Sequence, residues 1–450
     1  MPDFRIERDT MGEMRIPVDA LYGPQTQRAV ENFPVSGLRF PRAFLRALGL
    51  IKACAADVNG RLGYVPADVA NRILTAALEM ADGRHDSQFV LDIFQTGSGT
   101  STNMNVNEVI GHLAGAHPND HVNQGQSSND VIPSAMHVSA AESVSTTLIP
   151  AMHALHEALD AKASEFHHII KIGRTHLQDA VPMRLGQEFS GWAAQVQYSI
   201  DRINDALNGI YELPLGGTAV GTGLNALPGF AKATIELLCQ RTALPFREAR
   251  NHFEAQGSKD AVVFLSGALR NYAVSFTKIA NDIRWLGSGP RCGLGELRIP
   301  PTQPGSSIMP GKVNPVIAES ALMVCAQVIG NDATIAWSGA AGNLELNVMM
   351  PVMAYNLLQS VELLASASRN FETRLVRGLE ADAARASSLV EQSLAMVTVL
   401  APVIGYEKAA EISKQAHATG RTIREVALEK SGLDETKLNE LLDPATQAGN

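Results

Sequence analysis

The chain has 450 residues, about three domains at roughly 150 residues each, and is long enough to bury a large core. With 37 basic against 46 acidic residues its net charge is −9, which excludes a broad basic footprint for nucleic acid while leaving local anion pockets open. Only 18% of residues are charged, against a usual share of about 25%, and 45% are hydrophobic, so much surface is expected to be buried, some of it between subunits.

The first fifteen residues are charged and lack an apolar signal core. They also lack the Arg- and Ser-rich character of an organelle-targeting peptide, so a cytoplasmic location is expected. No apolar run of about 18 residues is apparent, so no membrane span is expected. Cys54, Cys239, Cys292 and Cys325 lie far apart without a C-x-x-C pair, which argues against a zinc knuckle or a disulfide scaffold and fits a reducing compartment.

Residues 1–126 read as a mixed, mostly helical region, 127–380 as a bundle of long helices, and 381–450 as a small helical region. The apolar series Val144, Leu148, Met152, Leu155, Leu159 predicts a helix, bent near Pro150. Phe189, Trp192, Val196, Ile200, Ile203, Leu207 and Ile210 follow at steps of three and four from Leu185 and define one face of a long helix. Leu265, Leu269, Tyr272, Phe276, Ile279, Ile283 and Leu286 alternate four and three, a heptad-like seam suited to shallow crossing angles. Ile317, Ala321, Val324 and Val328 begin a fourth helix, and residues 344–376 read as a fifth. Such stripes pack cores; they speak for an extended bundle and not for an activity.

Four polar stretches between the helices, three of them glycine-bearing, exceed what packing requires. In Thr96–Glu108, Gly97 and Gly99 allow close backbone approach, and the neighbouring hydroxyls and amides can donate to carboxylate oxygens; a turn that caps a helix has the same composition. Gln126–Asp130 precedes a helix and supplies ordinary N-caps as readily as ligand donors. Gly173–Asp179 carries His176, a candidate proton shuttle in polar company. Gly305–Pro315 is the most informative: two glycines and two prolines shape a loop able to act as a lid. Lys312 brings a positive charge and Asn314 two amide donors. The loop is not a P-loop, because Val313 stands where Ser or Thr is needed. Glu319, seven residues after Lys312, is placed to raise the basicity of a histidine. The Gly216–Gly223 stretch follows no convincing strand and reads as a turn that approaches a ligand or another chain. No metal-ligand set, G-x-S-x-G elbow or dinucleotide fingerprint is present.

Gly305-Ser-Ser-Ile-Met-Pro-Gly-Lys-Val-Asn314 resembles the signature loop of the fumarase/aspartase superfamily. Ser98-Gly-Thr100, Ser127-Ser-Asn129, Gly173-Arg-Thr-His176 and Leu215–Gly221 match that superfamily in order, and the likeness runs from Asp9 to about residue 420. Asn251–Ala255 and Arg284–Gly293 are similar to the class II, metal-free fumarases, whereas Asp179–Met183 and Pro315-Val316 also occur in aspartases. The resemblance implies a mainly α, three-domain fold and a homotetramer whose core is built from the central domains. Each active site would be shared by three subunits. The implied reaction is reversible anti-addition of water to fumarate, giving L-malate in the tricarboxylic acid cycle through an aci-carboxylate, without metal or other cofactor. Aspartate ammonia-lyase is the alternative on the same scaffold; a non-catalytic lens-crystallin-like protein and a dicarboxylate sensor are more remote, since the loop serine, Lys312 and His176 are all present.

By the same resemblance Ser306 is the base, and His176, paired with Glu319, handles the water. Ser98, Gly99, Thr100, Ser127, Ser128, Asn129, Thr175, Ser307, Lys312, Val313 and Asn314 bind substrate. His117, Pro118, Asn119 and Asp120 match the family's second, non-catalytic dicarboxylate site, although the stretch between Glu108 and His117 is shorter than in class II fumarases.

Overall fold

A computed structural model describes residues 3–449. It is predominantly helical, and every sheet among the described residues has two strands. The hairpin β1 (Phe4–Asp9) and β2 (Gly12–Pro17) precedes α1 (Pro24–Asn32), α2 (Arg42–Arg61), α3 (Ala67–Ala81) and α4 (Thr100–Ala114). α5 (Ser128–Ser143) and α6 (Ile149–Glu165) follow, then the hairpin β3 (Ile170–Thr175) and β4 (Gln178–Arg184). α7 (Leu185–Ile210), α8 (Phe230–Thr242), α9 (His252–Gly257), α10 (Asp260–Leu286), α11 (Val316–Gly339) and α12 (Met350–Arg374) complete the long-helix region, and α13 (Ala383–Gln392) leads into the short C-terminal helices.

The chain forms two compact units. One takes the chain up to Pro150 with Ser199–Ala273 and Val324–Ser366; the other takes Ala151–Tyr198, Val274–Met323 and Ala367 onward. This is a division by contacts, whereas 1–126, 127–380 and 381–450 is a division along the chain. The dividing points fall inside α6, α7, α10, α11 and α12.

In the first unit α2 packs on α3, α5 and α8. Helices α2 and α3 nearly touch, since a Cβ on Gly49 would lie 2.8 Å from the Ala81 nitrogen. Phe44, Leu48 and Ile51 are buried on one side of α2, and Ala55 and Val58 pack with Phe230 of α8. In the second unit Ile172 of β3 joins a core with Val390, Met396, Leu400, Ile412 and Val426, so the base of the β3–β4 hairpin is set into the C-terminal helices.

The series on α7 and α10 are buried along their whole length, as their spacing predicts. Three details differ. The irregularity expected at Pro150 is a widened π-type turn over Val144–Leu148, just before it. Pro150 has no N–H for the carbonyl of Thr146, and the widened turn absorbs that lost bond. The fifth helix starts at Met350 and not near 344, because Gly342–Asn343 pairs with Leu346–Asn347 in a small hairpin. On α11 the buried seam is Ala318, Ala321, Cys325 and Val328, rotated from the expected one, while Met323, Ile329 and Trp337 are exposed. α11 is also long and apolar enough, by length and composition alone, to cross a membrane, with a third of its most apolar window buried. Glu319, Asn331 and Asp332 interrupt its apolar run.

His137 of α5 lies buried, with Nδ1–H donating to the Glu212 carbonyl at 2.8 Å. Burial, aided by the charge of Lys259, pushes its pKa down to about 4. The folded chain keeps it neutral while the unfolded chain takes up a proton, so its contribution is lost as pH falls from about 6.5 through 4. Chemical unfolding followed from pH 7 to 4 is expected to show stability falling through this window, and His137→Asn is expected to flatten that slope.

Candidate active site

In the first unit two helix N-termini lie side by side. The turn before α4 places Gly99 at the N-cap with φ 72°, pressed by Ile132 of α5. Ser98 Oγ and Thr100 Oγ1 are 2.8 Å apart. Gly97 has no room for a side chain: a Cβ there would lie 1.7 Å from the Val348 carbonyl oxygen. The Met350 N–H also donates to the Gly97 carbonyl at 3.0 Å. The residues before α12 therefore set the height of the turn.

The second N-terminus is closed by a capping box. The Ser127 N–H donates to Asp130 Oδ1 at 2.9 Å, and the Asn129 N–H donates to Ser127 Oγ at 3.2 Å. Ser128 is buried and accepts from Asn103 Nδ2 of α4 at 3.0 Å, which ties the two turns together. Helix N-termini carry unpaired N–H groups and positive dipole ends, so this pair is a natural seat for a carboxylate.

Beneath them lies a buried polar network that sequence reasoning did not resolve. Asn123 Oδ1 accepts from Lys52 Nζ at 2.9 Å and from Asn103 and Asn107, each at 3.1 Å. Burial pushes Lys52 down to about 7, against the opposing pull of Asp130, and pushes Asp130 up. The asparagines of Thr96–Glu108 thus serve each other and the fold: Asn105 donates to the Gln88 carbonyl at 3.1 Å. Glu108 accepts from the N–H groups of Gly23 and Thr26 at the start of α1. Asn103 and Asn107 stand four residues apart on α4, and that spacing was the available signal that two of these amides share a face.

In the second unit Thr175 pairs with Gln178, so His176 and Leu177 form the two-residue tip of the β3–β4 hairpin, with φ 58° and 59°. That turn type wants residues such as Asn-Gly, and a His-Leu tip is strained. The hairpin is braced near its tip. Arg174 makes a two-pronged ion pair with the fully buried Glu296 at 3.0 and 3.1 Å, and Lys171 reaches Glu188 at 2.8 Å. Arg174 is therefore an anchor, and His176 and Thr175 stand exposed.

The glycine-rich loop folds on itself. A Cβ on Gly305 would lie 2.0 Å from the Lys312 carbonyl oxygen, and Asn314 Nδ2 donates to the Gly305 carbonyl. One hydrogen of the Asn314 amide thus closes the loop. Ser306 Oγ accepts two backbone N–H groups, from Ile308 at 3.2 Å and Met309 at 2.9 Å. Ser307, Lys312 and Val313 are exposed, as is Glu319 in the first turn of α11. Among the described residues no ion pair joins Glu319 to His176.

His117, Pro118 and Asn119 line a cavity of about 840 Å3 together with Arg8 and His112. His117 Nδ1 lies 3.1 Å from both the amide and the carboxylate of Asp120.

Comparisons with known proteins are consistent in kind. Residues 12–330 match the lyase family model, and residues 396–446 match the model of the fumarase C C-terminus. The chain is 54% identical to the class II fumarate hydratase of Corynebacterium glutamicum over 97% of its own length and 94% of the relative. It is also 54% identical to that of Mycobacterium tuberculosis, over 95% and 92%. The crystal structure of a recombinant class II fumarase from Schistosoma mansoni superposes with a TM-score of 0.97 at 41% identity, covering 99% of both chains. A Brucella melitensis structure titled fumarate lyase:delta crystallin, bound to cobalt, gives 0.95 at 45% identity over the whole of both chains.

Gly97→Ala is expected to displace the Ser98–Thr100 turn or the Val348 strand end, at a cost of about 1–3 kcal/mol typical of overpacking. A lowered midpoint in thermal unfolding together with weakened substrate binding would be the expected result.

Proposed function

Because the chain belongs to the class II fumarate hydratase family, we propose that its two capped turns, its hairpin tip and its glycine-rich loop form the site of its reaction. The enzyme hydrates fumarate reversibly, and its substrate is a dicarboxylate. In the dehydration direction L-malate loses a proton from the carbon beside one carboxylate. The charge spreads into that carboxylate as an aci-carboxylate, which preorganised donors stabilise without reorganisation. Lys312 and Asn314 supply this, with Thr100, Ser127, Asn129 and Thr175. Each such donor is typically worth about 2.7–4 kcal/mol in the transition state. Ser98, Gly99, Ser128, Ser307 and Val313 shape the walls.

Ser306 is the base. Its oxygen already accepts two backbone N–H groups, and this is the observation that carries the assignment: donors aimed at an oxygen favour its anionic form. The proton passes from carbon to Ser306 Oγ, its electron pair becomes the new double bond, and the carbon–oxygen bond breaks at the neighbouring carbon. His176, oriented by Glu319, gives the departing hydroxide its proton and releases water. A closed, water-poor site keeps the serine oxygen reactive.

The arrangement is completed in a homotetramer with each site shared by three subunits. Support comes from the exposure of His176, Lys312 and Glu319 in the single chain, and of Phe264, Met323, Ile329 and Trp337 on the long helices. In this reading residues 1–126, 127–380 and 381–450 act as three domains, the central one forming the tetramer core. His117–Asp120 forms a second dicarboxylate site beside its cavity, and the enzyme works in the cytoplasm within the tricarboxylic acid cycle.

Ultraviolet absorbance of purified enzyme is expected to show fumarate forming from L-malate and not from L-aspartate. Ser306→Ala should lower turnover at least a hundredfold in an intact tetramer; near-normal turnover would remove Ser306 as base. His176→Asn should lower turnover and change its pH profile, and an unchanged profile would remove the histidine from proton transfer.

A further inference from the structure

Close behind the Ser127–Asn129 turn lies a strained residue that the proposed chemistry does not use. Thr218 has φ 53°, which a β-branched residue rarely adopts, and it is 4% exposed. Strain of this kind persists only where the surroundings over-determine it. Here two buried side chains do so from opposite ends of the residue. Asp130 Oδ2 accepts the Thr218 N–H at 2.9 Å, and Gln256 Nε2 donates to the Thr218 carbonyl at 2.7 Å. Asp130 Oδ2 also accepts the Gly216 N–H at 3.0 Å. Between them Gly217 leaves no space, since a Cβ there would lie 2.2 Å from Gln256 Oε1.

What this clamp delivers is one carbonyl. The next residue, Ala219, accepts Asn129 Nδ2 at 2.8 Å through its backbone oxygen. A primary amide has donors at one end and an acceptor at the other, in nearly the same shape. A carbonyl oxygen can only accept, so it holds the nitrogen end of Asn129 toward itself and stops the amide from turning over. The second Nδ2 hydrogen is then left as a donor. In the opposite orientation Oδ1 would face the Ala219 carbonyl, acceptor against acceptor, and this bond would be lost.

We propose that Gln256 and Asp130 are positioning residues for the dicarboxylate: by clamping Thr218 they present the Ala219 carbonyl, which fixes the Asn129 amide so that its second Nδ2 hydrogen is offered to the substrate. The inference rests on the reading that residues 127–129 hold a substrate carboxylate. Gln256 is the cleaner probe, because Asp130 also caps Ser127 directly.

The test is a double-mutant cycle on the assembled enzyme, with gel filtration to confirm its state. Gln256→Met keeps the volume and removes the donor. It is expected to raise KM for both fumarate and L-malate about tenfold, the loss of roughly one hydrogen bond to a charged group, with a much smaller change in kcat. In an Asn129→Ala background the same substitution is expected to raise KM no further. If Gln256→Met leaves KM unchanged, or if its effect adds in full to that of Asn129→Ala, the positioning role is overturned. Should Gln256→Met not assemble, Asp130→Asn enters the same cycle with the same two criteria. If Asn129→Ala alone leaves KM unchanged, the reading of the turn as a substrate site fails, and the inference with it.

Discussion

A donor aimed at a dianion must itself be held by something other than water. In this chain that constraint falls on Asp130. Its carboxylate takes the N–H of Ser127 with one oxygen and those of Gly216 and Thr218 with the other, entirely out of solvent. Burial alone would favour the protonated acid, but the three amides and the charge of Lys52 oppose it. One side chain thereby closes a helix N-terminus and fastens a glycine-rich turn some 85 residues away onto it. Asn123 acts likewise one layer deeper, where a single amide oxygen collects donors from α2 and α4. The polar turns are held by buried side chains that bridge segments distant in sequence.

The hairpin and the loop follow a different design. His176 and Leu177 occupy left-handed backbone positions, each costing of order 1–3 kcal/mol. The hairpin tolerates this because Glu296 and Glu188 hold its basic residues and because Ile172 sits in the C-terminal core. The result is an imidazole held out at the tip of a braced arm. The loop at 305–314 is closed by bonds of its own, and Ile308 and Met309 at its apex are exposed. In the proposed site the capped turns would bind, the braced arm would present its imidazole, and the self-closed loop would act as the lid.

The exposure of His176, Lys312 and Glu319 in the single chain supports the proposed homotetramer, in which other copies would cover them. The small share of charged residues and the apolar residues left outside on α10 and α11 support the same proposal.

The order of the polar motifs along the chain, the glycines at 97, 99 and 305, and the apolar faces of α7 and α10 were all legible in the sequence. Each depends on local rules: a helix repeats every 3.6 residues, and only glycine fits where another backbone lies within van der Waals reach. The seam of α11 was read slightly rotated, because its apolar residues surround the helix and only packing selects which of them face inward. Asp130 looked like an ordinary helix cap, and it is one; its second oxygen was invisible because its partners are 86 and 88 residues away. Lys52 and Gln256 gave no local sign at all. Tertiary structure decided which amide meets which carbonyl, because a hydrogen bond is set by distances of a few tenths of an ångström between segments whose separation along the chain carries no such information.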